Sequence, residues 1–398
     1  MTLLQLAWSY LRARPLGTLL NVILLALGVG TIGFVLIVDR QVSDSLTRDA
    51  KDIDLVVGAK GSPIQLMLAG IFHLDVPTGN IPFAAAATLA KDPLVRRVIP
   101  VSIGDSFRGF WIIGTSPDYV DLYHGTYASG RGWSAPMQAV LGSTVAAHTG
   151  LGVGDRFVGA HGLAQGGPEH GDAPYAIVGV LKRTGTVLDR LVLTPTESAW
   201  LVHQGHGHED ADADDSERQV TVLLLQYATP LAAVSLPRKI NAETGMQAAS
   251  PAYESARLLR MLGVGADVIR AFGAVVLAAA ALSLFIALYR ALEERAYDIA
   301  VLRTLGAHRG SISTMVLLEA LILALLGGVL GLALAHGLAA VLAWWMARQE
   351  TLPIDALAFS PGELWLFVPS LAAAGLAAWL PSWRAARADI SATLARRG

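Results

Sequence analysis

Four long stretches without one charged side chain constrain this chain more than any other feature. They are Pro15–Val38, Ala271–Tyr289, Ala320–Ala347 and Leu364–Trp383. A helix needs about 20 largely apolar residues to cross a bilayer, and each stretch meets that length or comes within a residue of it. Overall the chain is 53% hydrophobic and 16% charged, against about a quarter charged in soluble domains. The apolar excess lies in the four runs, on either side of a middle region of ordinary composition. That distribution predicts an α-helical integral membrane protein with four transmembrane helices. A large mixed α+β extracytoplasmic domain is expected between helices 1 and 2.

The first run is followed by Asp39, Arg40 and Gln41 rather than small cleavage-site residues, so it is expected to stay as an anchor. Orientation follows the basic residues near the span ends. Arg12 and Arg14 precede span one. Arg290, Arg295, Arg303 and Arg309 lie between spans two and three, and Arg384, Arg387, Arg396 and Arg397 follow span four. The link between spans three and four sets Arg348 against Glu350, Asp355 and Glu363. Both termini are therefore expected inside and the middle region outside. Arg257, Arg260 and Arg270 run against this, but they belong to a long insert, where the bias is weak.

The expected division is an amphipathic inner segment 1–14, span one 15–38, the outer domain 39–265 and span two 266–290. It continues with an inner link 291–310, span three 311–346, an outer link 347–362, span four 363–383 and an inner tail 384–398. In the outer domain, strands are expected at Ile53–Val57, Val98–Ile103, Phe110–Ile113, Ala176–Val180, Arg190–Leu193 and Val220–Gln226. Helices are expected at Phe83–Ala90 and Ala139–His148, and at Pro251–Leu262 leading into span two. The stretch 58–81 mixes turn residues with apolar ones. It reads equally as a partner-facing loop or as the packing base of the domain.

A net charge of −2 gives no reason to expect nucleic acid, and the absence of cysteine excludes disulfides and thiolate metal sites. Residues 203–217 (HQGHGHEDADADDSE) gather His203, His206 and His208 among carboxylates. Imidazole and carboxylate suit zinc, so the tract reads as a weak metal site or as a solvated acidic loop. His161 and His170 lie in another Gly-rich stretch. No HExxH is present to support metalloprotease chemistry. In span three, Gly327, Gly331, Ala335 and Ala339 fall four apart on one helical face. Such a face permits close backbone approach, within the subunit or between subunits, although Gly and Ala are also simply common in membrane helices. A lone membrane histidine such as His336 in the same span can mark a pathway, but in the outer half of a long span it is expected to meet water or a neighbouring helix.

The most informative stretch is Leu292–Gly310 (LEERAYDIAVLRTLGAHRG). Leu292, Ala296, Ile299 and Leu302 share a helical face. Glu294, Arg295, Asp298 and Arg303 are placed for local ion pairs, and Gly306 is placed to end the helix after Leu305. Residue chemistry alone describes a short amphipathic helix that rests on lipid or docks into a partner's groove.

Here the chain resembles FtsX/MacB-type ABC transporter permeases, the class that includes lipoprotein-releasing permeases. They carry R-x-x-E-I-x-x-L-R-x-L-G-A between spans two and three. This chain matches with Arg295, Ile299, Leu302, Arg303, Leu305, Gly306 and Ala307, and it has Asp298 in place of the Glu. Glu319, the glycines at Gly327–Gly331 and the tail from Pro381 to Asp389 are also similar. In the outer region, 140–155 and 175–185 resemble the family's periplasmic core domain. The likeness covers nearly the whole chain and is most specific over spans two to four; the His/Asp tract has no counterpart.

The resemblance implies that the inner link is a coupling helix docking on a separate cytoplasmic ATPase. It also implies that the spans pass ATP-driven motion to the outer domain without carrying substrate through the bilayer. No G-x-x-x-x-G-K-[ST] loop occurs in this sequence, so ATP and magnesium are expected on the partner. One four-span unit implies a homodimer or a paired paralogue, with a periplasmic adaptor or lipoprotein as a further partner. The expected role is that of a non-catalytic permease subunit exporting or extracting a lipoprotein, lipid, peptide or efflux substrate. A signalling transducer that activates a periplasmic enzyme, and metal-linked transport, are the alternatives.

Overall fold

The computed structural model describes residues 2–161, 173–204, 218–348 and 355–387. The chain forms two compact units. Among the described residues, one comprises 2–42, 262–348 and 355–387, and the other lies within 43–261.

The first unit opens with α1 (Leu3–Ala13), whose Thr2 and Gln5 form a reciprocal capping box. Helix α2 (Pro15–Asp49) follows after Arg14. In the second unit come β1 (Leu55–Ala59), α3 (Pro63–Gly70), β2 (Ile81–Pro82), α4 (Ala84–Ala90), β3 (Val95–Phe107), β4 (Phe110–Thr115) and α5 (Asp118–Leu122). These are followed by β5 (Tyr127–Gly130), β6 (Gln138–Leu141), α6 (Ser143–Thr149), β7 (Arg156–Phe157), β8 (Ala160–His161) and β9 (Tyr175–Leu181). The unit closes with β10 (Val192–Pro195), α7 (Thr196–Gln204), β11 (Gln219–Val220), β12 (Val222–Tyr227), α8 (Ala232–Glu243) and β13 (Met246–Ala249). The chain then runs through α9 (Pro251–Glu294), α10 (Ala296–Thr304), α11 (Arg309–Arg348) and α12 (Phe367–Arg387). Among the described residues, four helical segments, Pro15–Asp49, Pro251–Glu294, Arg309–Met346 and Pro361–Arg387, are long and apolar enough to cross a membrane.

Among the described residues the soluble unit is built on one mixed eleven-stranded sheet. Its order is β13-β1-β12-β3-β4-β10-β6-β9-β5, with β7 on β9 and β8 on β3. Pairing is antiparallel except for β4–β10 and β6–β9. Hydrophobic cores form along it, including the following. Leu55, Val57, Leu223, Leu225, Leu236 and Ile240 pack at the β1–β12 end. Phe110, Ile112, Leu141, Val145, Tyr175 and Ile177 pack at the β6–β9 end.

Local chemistry explains where sequence expectation and structure part. Ala139–His148 is expected to be one helix, but Ala139, Val140 and Leu141 are strand and fully buried. Gly142 then turns the chain where a Cβ would lie 2.2 Å from the Leu188 carbonyl, and the helix starts only at Ser143. The expected strand at Arg190–Leu193 begins at Val192, after a 3-10 turn over Val187–Arg190. The expected strand Val220–Gln226 divides at Thr221, whose hydroxyl accepts from the Ile103 amide at 2.9 Å. In the stretch 58–81, Leu66, Met67, Ala69, Ile71 and Phe72 are buried, which favours the packing-base reading over a partner-facing loop.

In the helical unit, α11 packs on α2 through its glycines. A Cβ at Gly327 would lie 2.5 Å from Leu25 Cβ, and one at Gly331 2.8 Å from Val29 Cβ and 2.9 Å from the Ala26 carbonyl. Ala335 and Ala339 continue the face, fully buried beside Ile37. On the other side of α11, Gly328 meets Phe367 of α12. The small residues thus permit contact between helices of one subunit. Gly331→Leu is expected to destabilise the chain by about 1–3 kcal/mol through overpacking. Thermal unfolding in detergent checks this against Gly337→Leu, where a Cβ meets nothing within 4 Å and little change is expected.

Candidate functional site

The charged residues of the link between spans two and three converge at one end of the helical unit. Helix α9 ends at Glu294, and Arg295 stands at the junction with φ −98° and ψ 8°. Its side chain turns inward. Nη1 donates to Glu319 Oε1 of α11 at 2.9 Å, with side-chain exposures of 11% and 5%. The guanidinium also lies 3.8 Å from the Tyr10 ring centroid, and Nη2 donates to the Tyr10 carbonyl at 3.5 Å. Beside it, Arg14 pairs with Glu294. A buried pair with extra hydrogen bonds and a stacked ring is the setting in which a guanidinium, and not an ammonium, fits.

This changes the expected geometry of the link. Leu292 and Glu294 belong to α9, so the shared face of Leu292, Ala296, Ile299 and Leu302 is cut at Arg295. Glu294 and Arg295 pair with residues distant in sequence rather than only with link neighbours. Ile299 and Ala300, each 3% exposed, face inward to a core that includes Leu11, Leu288, Ile312 and Val316. Tyr297, Asp298 and Leu305 face out, Leu305 with 80% exposure; Leu302 and Arg303 are intermediate.

The end of α10 is closed by its own backbone. Gly306 has φ +98°, its amide donates to the Arg303 carbonyl at 3.1 Å, and the Ala307 amide donates to the Leu302 carbonyl at 3.0 Å. This is the two-bond C-terminal motif that favours glycine at the left-handed position. Short, pinned at one end and sharply stopped at the other, α10 presents a small rigid outward face.

A second polar cluster that sequence reading did not assemble lies at the opposite end of the helical unit. His336 of α11 contacts the Ala356 carbonyl and Glu363 Oε2, both at 2.8 Å. Glu363, 6% exposed, also accepts from the Ser360 amide at 2.9 Å. Its traces in the sequence are His336 within span three and the acid just ahead of span four.

For the proposed metal tract, His206 and His208 fall outside the described residues, as does His170. The backbone of His203 is in α7. Among the described residues no three His, Cys, Asp or Glu side chains gather in a way that would hold a metal.

Comparison with known proteins adds the following. Residues 18–236 match the MacB-like periplasmic core domain, and 270–390 match the FtsX-like permease C-terminal family. The chain is 23% identical to the pyoverdine export ATP-binding/permease protein PvdT of Pseudomonas putida, over 97% of its own length and 58% of the relative's. Two solved structures are similar. The periplasmic region of MacB from Actinobacillus actinomycetemcomitans has a TM-score of 0.36 at 11% identity, over 54% of this chain and 97% of that one. The extracellular domain of the ABC-type transporter YknZ from Gram-positive bacteria has a TM-score of 0.30 at 13% identity, over 49% of this chain and 98% of that one. With one family model covering more than half of the chain and a second covering most of the remainder, the chain belongs to the FtsX/MacB-type ABC transporter permeases.

Proposed function

We propose that the chain is the membrane subunit of an ATP-driven complex, with α10 as the element that docks on a separate cytoplasmic ATPase. The carrying observation is the construction of α10. Arg295–Glu319 anchors its start, Ile299 seats its inner face, and Tyr297, Asp298 and Leu305 are left outward. An 80% exposed leucine at the tip of a rigid nine-residue helix is the kind of apolar anchor that a partner's groove buries. In this reading the ends of spans bearing the basic clusters face the cytoplasm. Motion received by α10 reaches α2 and α9, both continuous helices with residues in each unit. The soluble unit then moves outside the bilayer in an inner (plasma) membrane, and substrate does not pass through the spans. This subunit has no catalytic role, and two copies or a pair of paralogues act together.

The relative's name concerns pyoverdine export, which favours export or extraction over signalling and leaves the cargo among lipoproteins, lipids, peptides and small efflux substrates. Ile299→Asp is a poor probe of docking, because Ile299 is part of the helical core. Leu305→Asp changes only the outward face. It is expected to weaken ATPase binding by about 2 kcal/mol or more, roughly 30-fold, with the chain's thermal unfolding unchanged. Co-purification of the ATPase with the intact membrane complex, together with its ATPase rate, reads the result. Normal binding and stimulation in Tyr297→Ala/Leu305→Asp would remove α10 from the docking role.

A further inference from the structure

The connection into the fourth span is fastened more firmly than a simple turn requires. Gln41 Nε2 donates to the Asp355 carbonyl at 2.8 Å, and the Asp355 amide returns a bond to Gln41 Oε1 at 2.7 Å. His336 holds the Ala356 carbonyl, Arg40 bonds the Ser360 hydroxyl, and Ser360 with Glu363 forms a capping box. Hooks from α2 and α11 therefore fix the path of residues 355–363. Yet this path and the two residues after it turn apolar side chains outward: Leu357 is 89% exposed, Phe359 55%, Leu364 57% and Trp365 74%.

The level of this wedge in the bilayer follows from spacing. Twenty uncharged residues separate Glu363 from Arg384, about 30 Å of helix, which matches the hydrocarbon thickness. Glu363 thus stands at one hydrocarbon edge. The ion pair Arg270–Asp39 at 2.7 Å joins the charged residues that flank the apolar runs of α9 and α2. The exposed wedge continues directly into the outward stripe of α12, Val368, Leu376 and Trp379, the last near the opposite edge. Tryptophan near both ends of an apolar stripe is the pattern of a lipid-facing surface. A helix–helix seam would instead be rich in small residues, and those of α11 are already occupied by α2 and α12.

We propose that Leu357, Phe359 and Trp365 form a rigid wedge seated in the headgroup–acyl boundary at the hydrocarbon edge that Glu363 marks, with phospholipid as its partner. Its polar hooks keep the backbone bonded while its apolar tips enter the lipid, so that α2, α11 and α12 share one interfacial anchor. This rests on the four-span reading and not on ATPase docking.

The chain has no cysteine, so single labels are available without background. Leu357→Cys, Phe359→Cys and, as a water-exposed control on the soluble unit, Val153→Cys (49% exposed) are labelled with an environment-sensitive fluorophore. The full chain is reconstituted in phosphatidylcholine–phosphatidylglycerol vesicles. Labels at 357 and 359 are expected to lose most of their emission to a lipid carrying a quencher just below its headgroup, and to resist iodide. The control is expected to do the reverse. Iodide quenching at 357 and 359 equal to that of the control would overturn the proposal. So would protection from both quenchers accompanied by label-to-label contact, which would identify a second copy as the occupant.

Discussion

Arg295→Ala is expected to unseat α10 and to cost the helical unit about 3–5 kcal/mol, the penalty for leaving one member of a buried ion pair without its partner. The side chain of Glu319 is 5% exposed, so removing the guanidinium strands a carboxylate away from water. The same change deletes the stacking on Tyr10, and with it one of the contacts that seat α1. Arg295→Lys is expected to recover only part of this, because an ammonium does not reproduce the flat stacked face. Thermal unfolding of the detergent-solubilised chain reads the stability.

Replacing both partners separates structure from coupling. A buried ion pair exchanged for apolar residues of similar volume is often neutral or stabilising. Arg295→Met/Glu319→Leu is therefore expected to return the thermal midpoint close to wild type. If α10 transmits force through this anchor, ATPase stimulation in the complex stays low although the chain is stable. Recovery of both together would show that the pair serves stability alone.

Parts of this arrangement were legible in the sequence because their physics is local. Four uncharged runs of bilayer length announce the spans whatever surrounds them. The glycine after Leu305 announces a helix end, since the left-handed position it takes is costly for other residues. The remainder depends on partners distant in the chain. Arg295 looks like a helix-surface charge until α11 brings Glu319 to it. Ile299 and Leu302 look equivalent on an isolated amphipathic helix. One of them is buried because Leu11 and Val316 cover it, and nothing within 292–310 encodes that. Ala139–Leu141 misleads for a related reason. A strand covered on both faces has no alternation, so periodicity cannot separate it from a buried helix. The hooks on 355–363 come from Gln41, Arg40 and His336, polar residues that sequence reading assigned only to span borders or to a lone membrane histidine.

In the soluble unit, Arg190→Met is expected to produce the other large loss, about 3–5 kcal/mol, by the same isolation of a buried charge. Asp49, the last residue of α2, has 1% side-chain exposure and lies 3.7 Å from Arg190 Nη2. Its Oδ1 accepts from the Val187 amide at 2.8 Å, and its carbonyl accepts from Tyr123 Oη at 2.9 Å. Arg190 in turn donates to the Phe72 carbonyl at 2.9 Å. The end of α2 is thereby tied to two segments of the unit, at Tyr123 and at Val187–Arg190, and through Arg190 to Phe72. Asp49→Asn keeps an acceptor for Val187 and should cost less. Hydrogen exchange over 184–191 in the full chain distinguishes the two, with wide loss of protection expected for Arg190→Met and narrow loss for Asp49→Asn. The neighbouring His73, 3.0 Å from Tyr119 Oη, adds a pH signature. Burial first, and the Arg190 charge second, push its pKa down to about 3. An unfolded histidine takes its proton near pH 6.5, so between these values the unfolded chain binds more protons. His73 therefore contributes stability that is present above pH 6.5 and is lost as pH falls, by about 1.4 kcal/mol per unit. His73→Asn, which suits the left-handed backbone there (φ +52°), should flatten the slope between pH 6.5 and 5. An unchanged slope in that variant would mean that His73 is already protonated in the folded unit, and that Arg190 does not share a dry pocket with it.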